Sequence, residues 1–324
     1  MLESSHACSE RNKKMPDPTE IAIIATFCSS LGIFAMAVIC RKLLRPNTSL
    51  PMEVGAGSFD GVAELPFVGE ILDESVVSDP LTKRQIPIDF YRTSDLLGLG
   101  LIFVLFFNLA LASVRSPEKE SLTLDPSLLL SSIAFQLMSA GMVIFFVYSR
   151  IRPVAWLGLK WSSWPWVFLI APCAVLLIWL LLAGLQVVGY MDWISSFGVE
   201  TTQDTVKILQ ESKDPTTLAL MGIAAIVAAP VCEEIVFRGY VYPAMKSFSG
   251  PWVAGICTSL IFTAAHCNLA ALLPLFIFGG LLAFVYEKTG SIWAPIAVHC
   301  AFNSATVATQ LLARYDKILL GFSP

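Results

Sequence analysis

The chain has 324 residues, of which 56% are hydrophobic and only 14% charged. A soluble domain carries roughly 25% charged residues, so the composition excludes an ordinary soluble protein and points to a membrane. The formal net charge of −4 leaves no basic surface, which sets nucleic acid aside as a partner.

In chain order, a polar tail (1–20) precedes an apolar run at 21–40. That run is too long for the hydrophobic region of a signal peptide and reads as a transmembrane anchor. A stretch at 46–95, with prolines, glycines and acids, reads as a long connection. Taking roughly 20 apolar residues per span, further helices are predicted at 96–114, 127–149, 166–189, 217–246, 251–267, 269–287 and 290–312. In "HCNLAALLP", Asn268 and Pro274 divide the last long apolar region into two helices. The fold class is therefore all-α, a polytopic membrane bundle of about eight helices by this rule.

The domain layout follows. N-terminal helices fill 21–189, a connection at 190–216 holds a short surface helix within 203–214, a core occupies 217–312 and a tail runs over 313–324. No internal repeat suggests a transporter built from two related halves.

Trp156, Trp161, Trp164 and Trp166 straddle a predicted helix start and read as anchors in the headgroup layer. Arg41, Lys42, Arg45, Arg150, Arg152, Lys160 and Lys246 fall on one side of an eight-span bundle. Arg11, Lys13, Lys14, Arg115, Lys119, Lys207 and Lys213 fall on the other, several of them diluted by acids. The positive-inside rule then puts the first group in the cytoplasm and both termini outside. The expected location is the cell membrane, with the active site toward the cytoplasmic side.

The eight cysteines (Cys8, Cys28, Cys40, Cys173, Cys232, Cys257, Cys267 and Cys300) include no C-x-x-C pair, and most lie in apolar stretches. They read as small packing residues, not as a disulfide framework. Cys267 and Cys300 each follow a histidine, but adjacent residues point about 100° apart on a helix, which argues against them as metal ligands.

The segment "VCEEIVFRGY" puts three charges inside an apolar helix. A charge at the centre of a membrane helix costs roughly 2.5–3.5 kcal/mol on insertion scales, so Glu233, Glu234 and Arg238 facing lipid would together cost on the order of 8–10 kcal/mol. They must face protein or water. Glu234 and Arg238, at i and i+4 in the favourable acid-before-base order, predict an orienting ion pair. Glu233, about 100° around the helix and less obviously paired, is the candidate general base on water. Taken alone, the three charges also fit an ion pair that only locks helices together.

Two later helices supply further polar groups. "FTAAH" places Phe262 and His266 one turn apart, and "HCAFN" does the same for His299 and Asn303. A single intramembrane histidine is commonly a packing hydrogen bond. Two of the chain's three histidines, with an asparagine and a glutamate pair, fit one polar cavity better.

The motifs "EEIVFR", "FTAAH" and "HCAFN" resemble the EExxxR, FxxxH and HxxxN motifs of the CAAX protease and bacteriocin-processing (Abi) family, type II CAAX prenyl endopeptidase-like. The resemblance covers about residues 217–305, including "FIFGGLLAFVYEKTGSIWAPIAVH" between the second and third motifs. It implies an intramembrane endopeptidase in which Glu233 activates water, His266 helps to hold or polarise it, Glu234 and Arg238 support it with Phe262, and His299 and Asn303 stabilise the oxyanion. Eukaryotic relatives trim prenylated C-terminal tripeptides, and bacterial relatives are linked to peptide maturation and bacteriocin resistance. The implied partners are a peptide or protein substrate, lipidated or not, and membrane lipid.

The alternatives are a zinc-dependent form of the same protease, a catalytically silent scaffold or bacteriocin-immunity protein, and a transporter or proton-coupled channel. Glu233, His266 and His299, with Asn303, could surround Zn²⁺ with one position open for water. Against zinc, there is no H-E-x-x-H and asparagine is a poor zinc ligand, so the sequence favours a mechanism without cofactor.

Overall fold

The computed structural model describes residues 17–44, 86–115, 126–199, 204–212 and 214–319. Most of the 46–95 connection, most of the N-terminal tail and the last five residues lie outside them. The described residues are helical with no strand, an all-α polytopic bundle.

The helices are α1 (Pro18–Leu44), α2 (Asp95–Arg115), α3 (Pro126–Tyr148), α4 (Val167–Val187), α5 (Asp204–Glu211), α6 (Pro215–Ser249), α7 (Pro251–Ala264), α8 (Leu272–Thr289) and α9 (Trp293–Leu319). Seven are long and apolar enough to cross a membrane, all but α5 and α7. Apolar side chains such as Leu31, Met36, Phe145 and Leu180 are exposed around the bundle, as a lipid solvent requires.

The predicted span at 251–267 is the exception in length. Its 14-residue helix rises only about 21 Å, against a hydrocarbon thickness of about 30 Å. Ala254, Cys257, Ser259 and Phe262 are buried, so α7 is an interior helix whose small residues allow close approach. Against α1, the Ser30 hydroxyl donates to the Cys257 carbonyl at 3.0 Å and the Cys257 thiol donates to the Ser30 carbonyl at 3.4 Å. Seven cysteines are free in the described residues, and Cys8 lies outside them.

Helix ends sort into two levels. Lys246 at the end of α6 pairs with Glu287 at the end of α8 at 2.6 Å, and Arg41 reaches the Ser247 carbonyl at 3.5 Å. At the other level, Arg115 donates to Glu20 at 2.8 Å. The helix expected within 203–214 is α5, whose Ile208 and Leu209 are buried in a small apolar cluster with Met221. Asp214 caps α6 by accepting from Thr216 N, Thr217 N and the Thr217 hydroxyl, which together hold its carboxyl below the usual range.

The tryptophan-rich stretch divides. Trp164 and Trp166, in the turn that opens α4, are exposed like interface anchors. Trp156 corrects that expectation: it is 1% exposed, because the chain after α3 folds back onto the bundle. Gly158 makes the fold-back possible. Its φ is +61°, and a Cβ there would lie 1.9 Å from the Gly290 carbonyl oxygen, closer than any side chain could sit.

A buried clip joins α2, α3 and α6. Arg150 donates to both Asp95 carboxylate oxygens at 2.6 and 2.8 Å, and the Tyr240 hydroxyl donates to the same carboxylate at 3.1 Å. Asp95→Ala is expected to destabilise the protein by about 3–5 kcal/mol, because the guanidinium loses its counter-charge. The double variant Asp95→Ala/Arg150→Met is expected to melt above the single one. Thermal melting of the purified protein checks both.

Candidate active site

Helix α6 is not regular where it carries the charges. Two wide, π-helical turns interrupt it, at Ala224–Ala228 and Ile235–Val241. Inserting a residue into a helical turn leaves a carbonyl without its usual donor, and such turns recur at functional sites. Here the carbonyls are taken by distant side chains. Asn303 Nδ2 donates to the Ala225 carbonyl at 2.7 Å, and Trp156 Nε1 and the Tyr91 hydroxyl donate to the Gly239 carbonyl at 2.8 and 3.1 Å. Burial pushes the Tyr91 hydroxyl well above its ordinary pKa, so it stays a neutral donor. Tyr91 and Trp156 lie outside the charged motif and carry no sequence signal of their own.

Glu234 ends the helical turn between the two wide ones, and Arg238 lies inside the second. Both are fully buried, and Arg238 NH1 donates to Glu234 Oε1 at 2.9 Å. Arg238 NH2 donates to the Gly279 carbonyl of α8 at 3.0 Å, and the guanidinium stands 4.6 Å from the centre of the Phe262 ring. His299 Nδ1–H donates to the same Glu234 oxygen at 2.8 Å. One carboxylate thus ties α6 to α9 directly and to α8 through the arginine.

Glu233 stands apart from that pair. Its side chain keeps 22% exposure, its Oε2 is buried without a hydrogen-bond partner among the described residues, and that oxygen lies 4.0 Å from His299 Nε2. Glu234 Oε2 and Arg238 Nε are likewise buried and unpartnered. The charged set therefore contains unused donor and acceptor capacity around its least constrained carboxylate.

The remaining motif residues are placed differently from the simplest helical reading. His266 is not within the helix of Phe262, since α7 ends at Ala264 and His266 lies in the following turn, where Cys267 has φ 54°. The two residues still touch: His266 Nδ1–H donates to the Phe262 carbonyl at 2.7 Å, and the ring centroids are 4.8 Å apart. A carbonyl can only accept, so Nδ1 carries a proton and Nε2 of the exposed His266 is left outside that contact. The Phe262 ring also stands 6.0 Å from His299, so this one buried ring adjoins both histidines and the arginine. Asn303 shares α9 with His299, but its amide is partly committed to Ala225.

Glu233, His266 and His299 do not assemble as a zinc ligand set. Among the described residues no three His, Cys, Asp or Glu side chains are grouped as a metal ion requires. No step through a metal is derived below.

Fold and site define a class, the polytopic integral membrane protein with a buried carboxylate, imidazole and guanidinium cluster among its helices. Residues 215–305, which carry the cluster, match the family described as "Type II CAAX prenyl endopeptidase Rce1-like". Over that segment the chain is similar to the CAAX protease and bacteriocin-processing family. It is 33% identical over 112 residues to "Putative membrane peptidase YdiL" of Bacillus subtilis (strain 168), covering 35% of this chain and 43% of that relative. It is 26% identical over 163 residues to "Uncharacterized 24.3 kDa protein" of Escherichia coli, covering 48% of this chain and 69% of the other. The first match thus spans less than half of the relative's length. No solved structure gives a significant match.

The pair of donors on Gly239 sets a double-mutant test. Trp156→Phe or Tyr91→Phe alone leaves one donor and is expected to cost about 0.5–1.5 kcal/mol. The double variant strands the carbonyl and is expected to cost more than the sum of the two, as read from thermal melting.

Proposed function

We propose that the protein is an intramembrane endopeptidase that hydrolyses a peptide bond of a protein or peptide substrate, with Glu233 as the general base. The observation that carries this reading is the division of labour between the two glutamates. Glu234 is held by Arg238 and His299, whereas Glu233 Oε2 is buried, partnerless and 4.0 Å from an imidazole nitrogen. Both the family and the printed name of the Bacillus subtilis relative are those of peptidases.

In this mechanism Glu233 takes a proton from water as the hydroxide attacks the substrate carbonyl carbon. His266 Nε2, with its lone pair, accepts from the same water and orients it. The tetrahedral oxyanion receives hydrogen bonds from His299 Nε2 and from the second amide hydrogen of Asn303. Because His299 Nδ1–H already donates to Glu234, the ring donates from Nε2 as the imidazolium. That form leaves Glu233, Glu234, Arg238 and His299 formally neutral together, as a low-dielectric site favours. Collapse of the intermediate breaks the C–N bond, and Glu233 returns the proton to the departing amine. Glu234, Arg238 and Phe262 position these groups.

The catalytic core in this proposal is 217–312, and Arg41, Arg150 and Lys246 mark the cytoplasmic side of the cell membrane. The substrate meets the site within the bilayer and is a membrane-borne peptide chain, lipidated or not.

Two experiments test the reading. The C-terminal peptides of all proteins in wild-type cells are compared with those in cells carrying Glu233→Gln; the expected outcome is a defined set that is processed only in the wild type. An unchanged set sinks the proposal. With purified protein and a peptide from that set, Glu233→Gln is expected to lower turnover at least about 1000-fold, within the scale of general-base loss. Turnover in the wild type is expected to persist in a strong chelator, and inhibition reversed by Zn²⁺ would refute the metal-free mechanism.

A further inference from the structure

Several polar side chains in these membrane helices satisfy themselves locally, and others, such as Ser30 and Asn303, bond to a neighbouring helix. Thr26, Asn108, Ser139, Ser259 and Thr306 each donate to the carbonyl four residues earlier in their own helix. Gln136 in α3 departs from that habit, since its Oε1 is buried with no hydrogen-bond partner. Among the described residues the other such atoms are Glu233 Oε2, Glu234 Oε2 and Arg238 Nε in the candidate active site, and Trp161 Nε1. An amide oxygen left unpaired inside a membrane protein is costly, because no bulk water competes to satisfy it.

The level of Gln136 along the bundle can be read from its neighbours. It lies seven residues from both Leu129 and Val143, on one face of α3. Leu129 is buried in one apolar cluster with Met221, near the start of α6. At the other end, Arg150 binds the Asp95 carboxylate that also holds Tyr240. Helix α3 therefore runs beside α6 in the same direction, which sets Gln136 level with about residues 226–228, in the first wide turn. That level is roughly 9 Å, or about three extended residues, from Glu233. It is also the level at which Asn303 holds the Ala225 carbonyl.

We propose that Gln136 is a substrate-binding residue whose Oε1 accepts a hydrogen bond from a backbone N–H of the substrate, about three residues from the bond that is cut. The inference rests on the protease reading. A substrate must be unwound to be hydrolysed, and within the bilayer its freed N–H groups find no water to bond. The protein has to supply acceptors, and Gln136 offers one that no described residue uses. Because the donor is backbone, the contact is indifferent to substrate side chains. It adds grip and register without dictating sequence.

The test separates this role from a structural one by the sign of the stability change. Replacing an unpaired buried acceptor with an apolar group of similar size is neutral or stabilising, whereas replacing one that bonds within the protein is destabilising. Full-length Gln136→Leu, reconstituted in lipid nanodiscs, is assayed with a peptide from the set that Glu233→Gln cells fail to process. The expected result is a melting temperature equal to or above the wild type, a KM raised about threefold to tenfold for one lost hydrogen bond, and kcat within about twofold of the wild type. An unchanged KM, or a melting temperature below the wild type, overturns the proposal while leaving the protease reading intact. If Glu233→Gln changes no processing, the protease reading fails and this inference falls with it.

Discussion

The carboxylate of Glu234 is the constraint on which the rest of the site depends. Fully buried, it accepts from Arg238 of its own helix and from His299 of α9, while the arginine reaches on to the backbone of α8. Removing any one partner leaves a charge in a low-dielectric interior, which is far more costly than never having placed it there. The three helices are consequently fixed in register by electrostatics as much as by packing. Glu233, one residue away, inherits a fixed position without being tied up itself.

Wide helical turns reconcile these demands. A regular α-helix offers no spare carbonyl to its surroundings, whereas each wide turn of α6 frees one, and side chains from remote parts of the chain take them. The second wide turn contains Arg238, and Trp156 and Tyr91 hold the carbonyl of the next residue, Gly239. The matched segment 215–305 is therefore not self-sufficient. Residues in the 86–156 region, through the Gly239 and Asp95 contacts, complete the scaffold that it stands on.

Much of the membrane architecture was legible in the sequence because hydropathy over 20 residues is a local property. The charged set was legible for the same reason, since EExxxR is a local pattern and its i, i+4 pair forms as drawn. What failed to show were features decided by partners distant in sequence. His266 leaves its helix two residues after Ala264, and Trp156 is buried although its neighbours Trp164 and Trp166 face outward. The wide turns could not be located either, because neither "AAIVA" nor "IVFRGYV" says which carbonyl will be freed until Asn303, Trp156 and Tyr91 arrive to bond it. Helix α7 was expected to span the membrane because its composition is apolar, but an interior helix and a lipid-facing one are equally apolar. Only its 14 residues tell them apart.

That shortness bears on how water gets to the site. Lys246 and Glu287 pair at one level, so α7 and α8 form a hairpin that enters from there and turns back at 265–271, about 21 Å in. The α7 arm is thus some 9 Å shorter than the hydrocarbon of an average bilayer, whereas the 18 residues of α8 rise about 27 Å. Irregular backbone is tolerated at that depth only inside protein or beside water, and the tip presents His266, which is exposed. The irregular turn at 265–271 is therefore a point at which protein or water, not lipid, must adjoin the bundle.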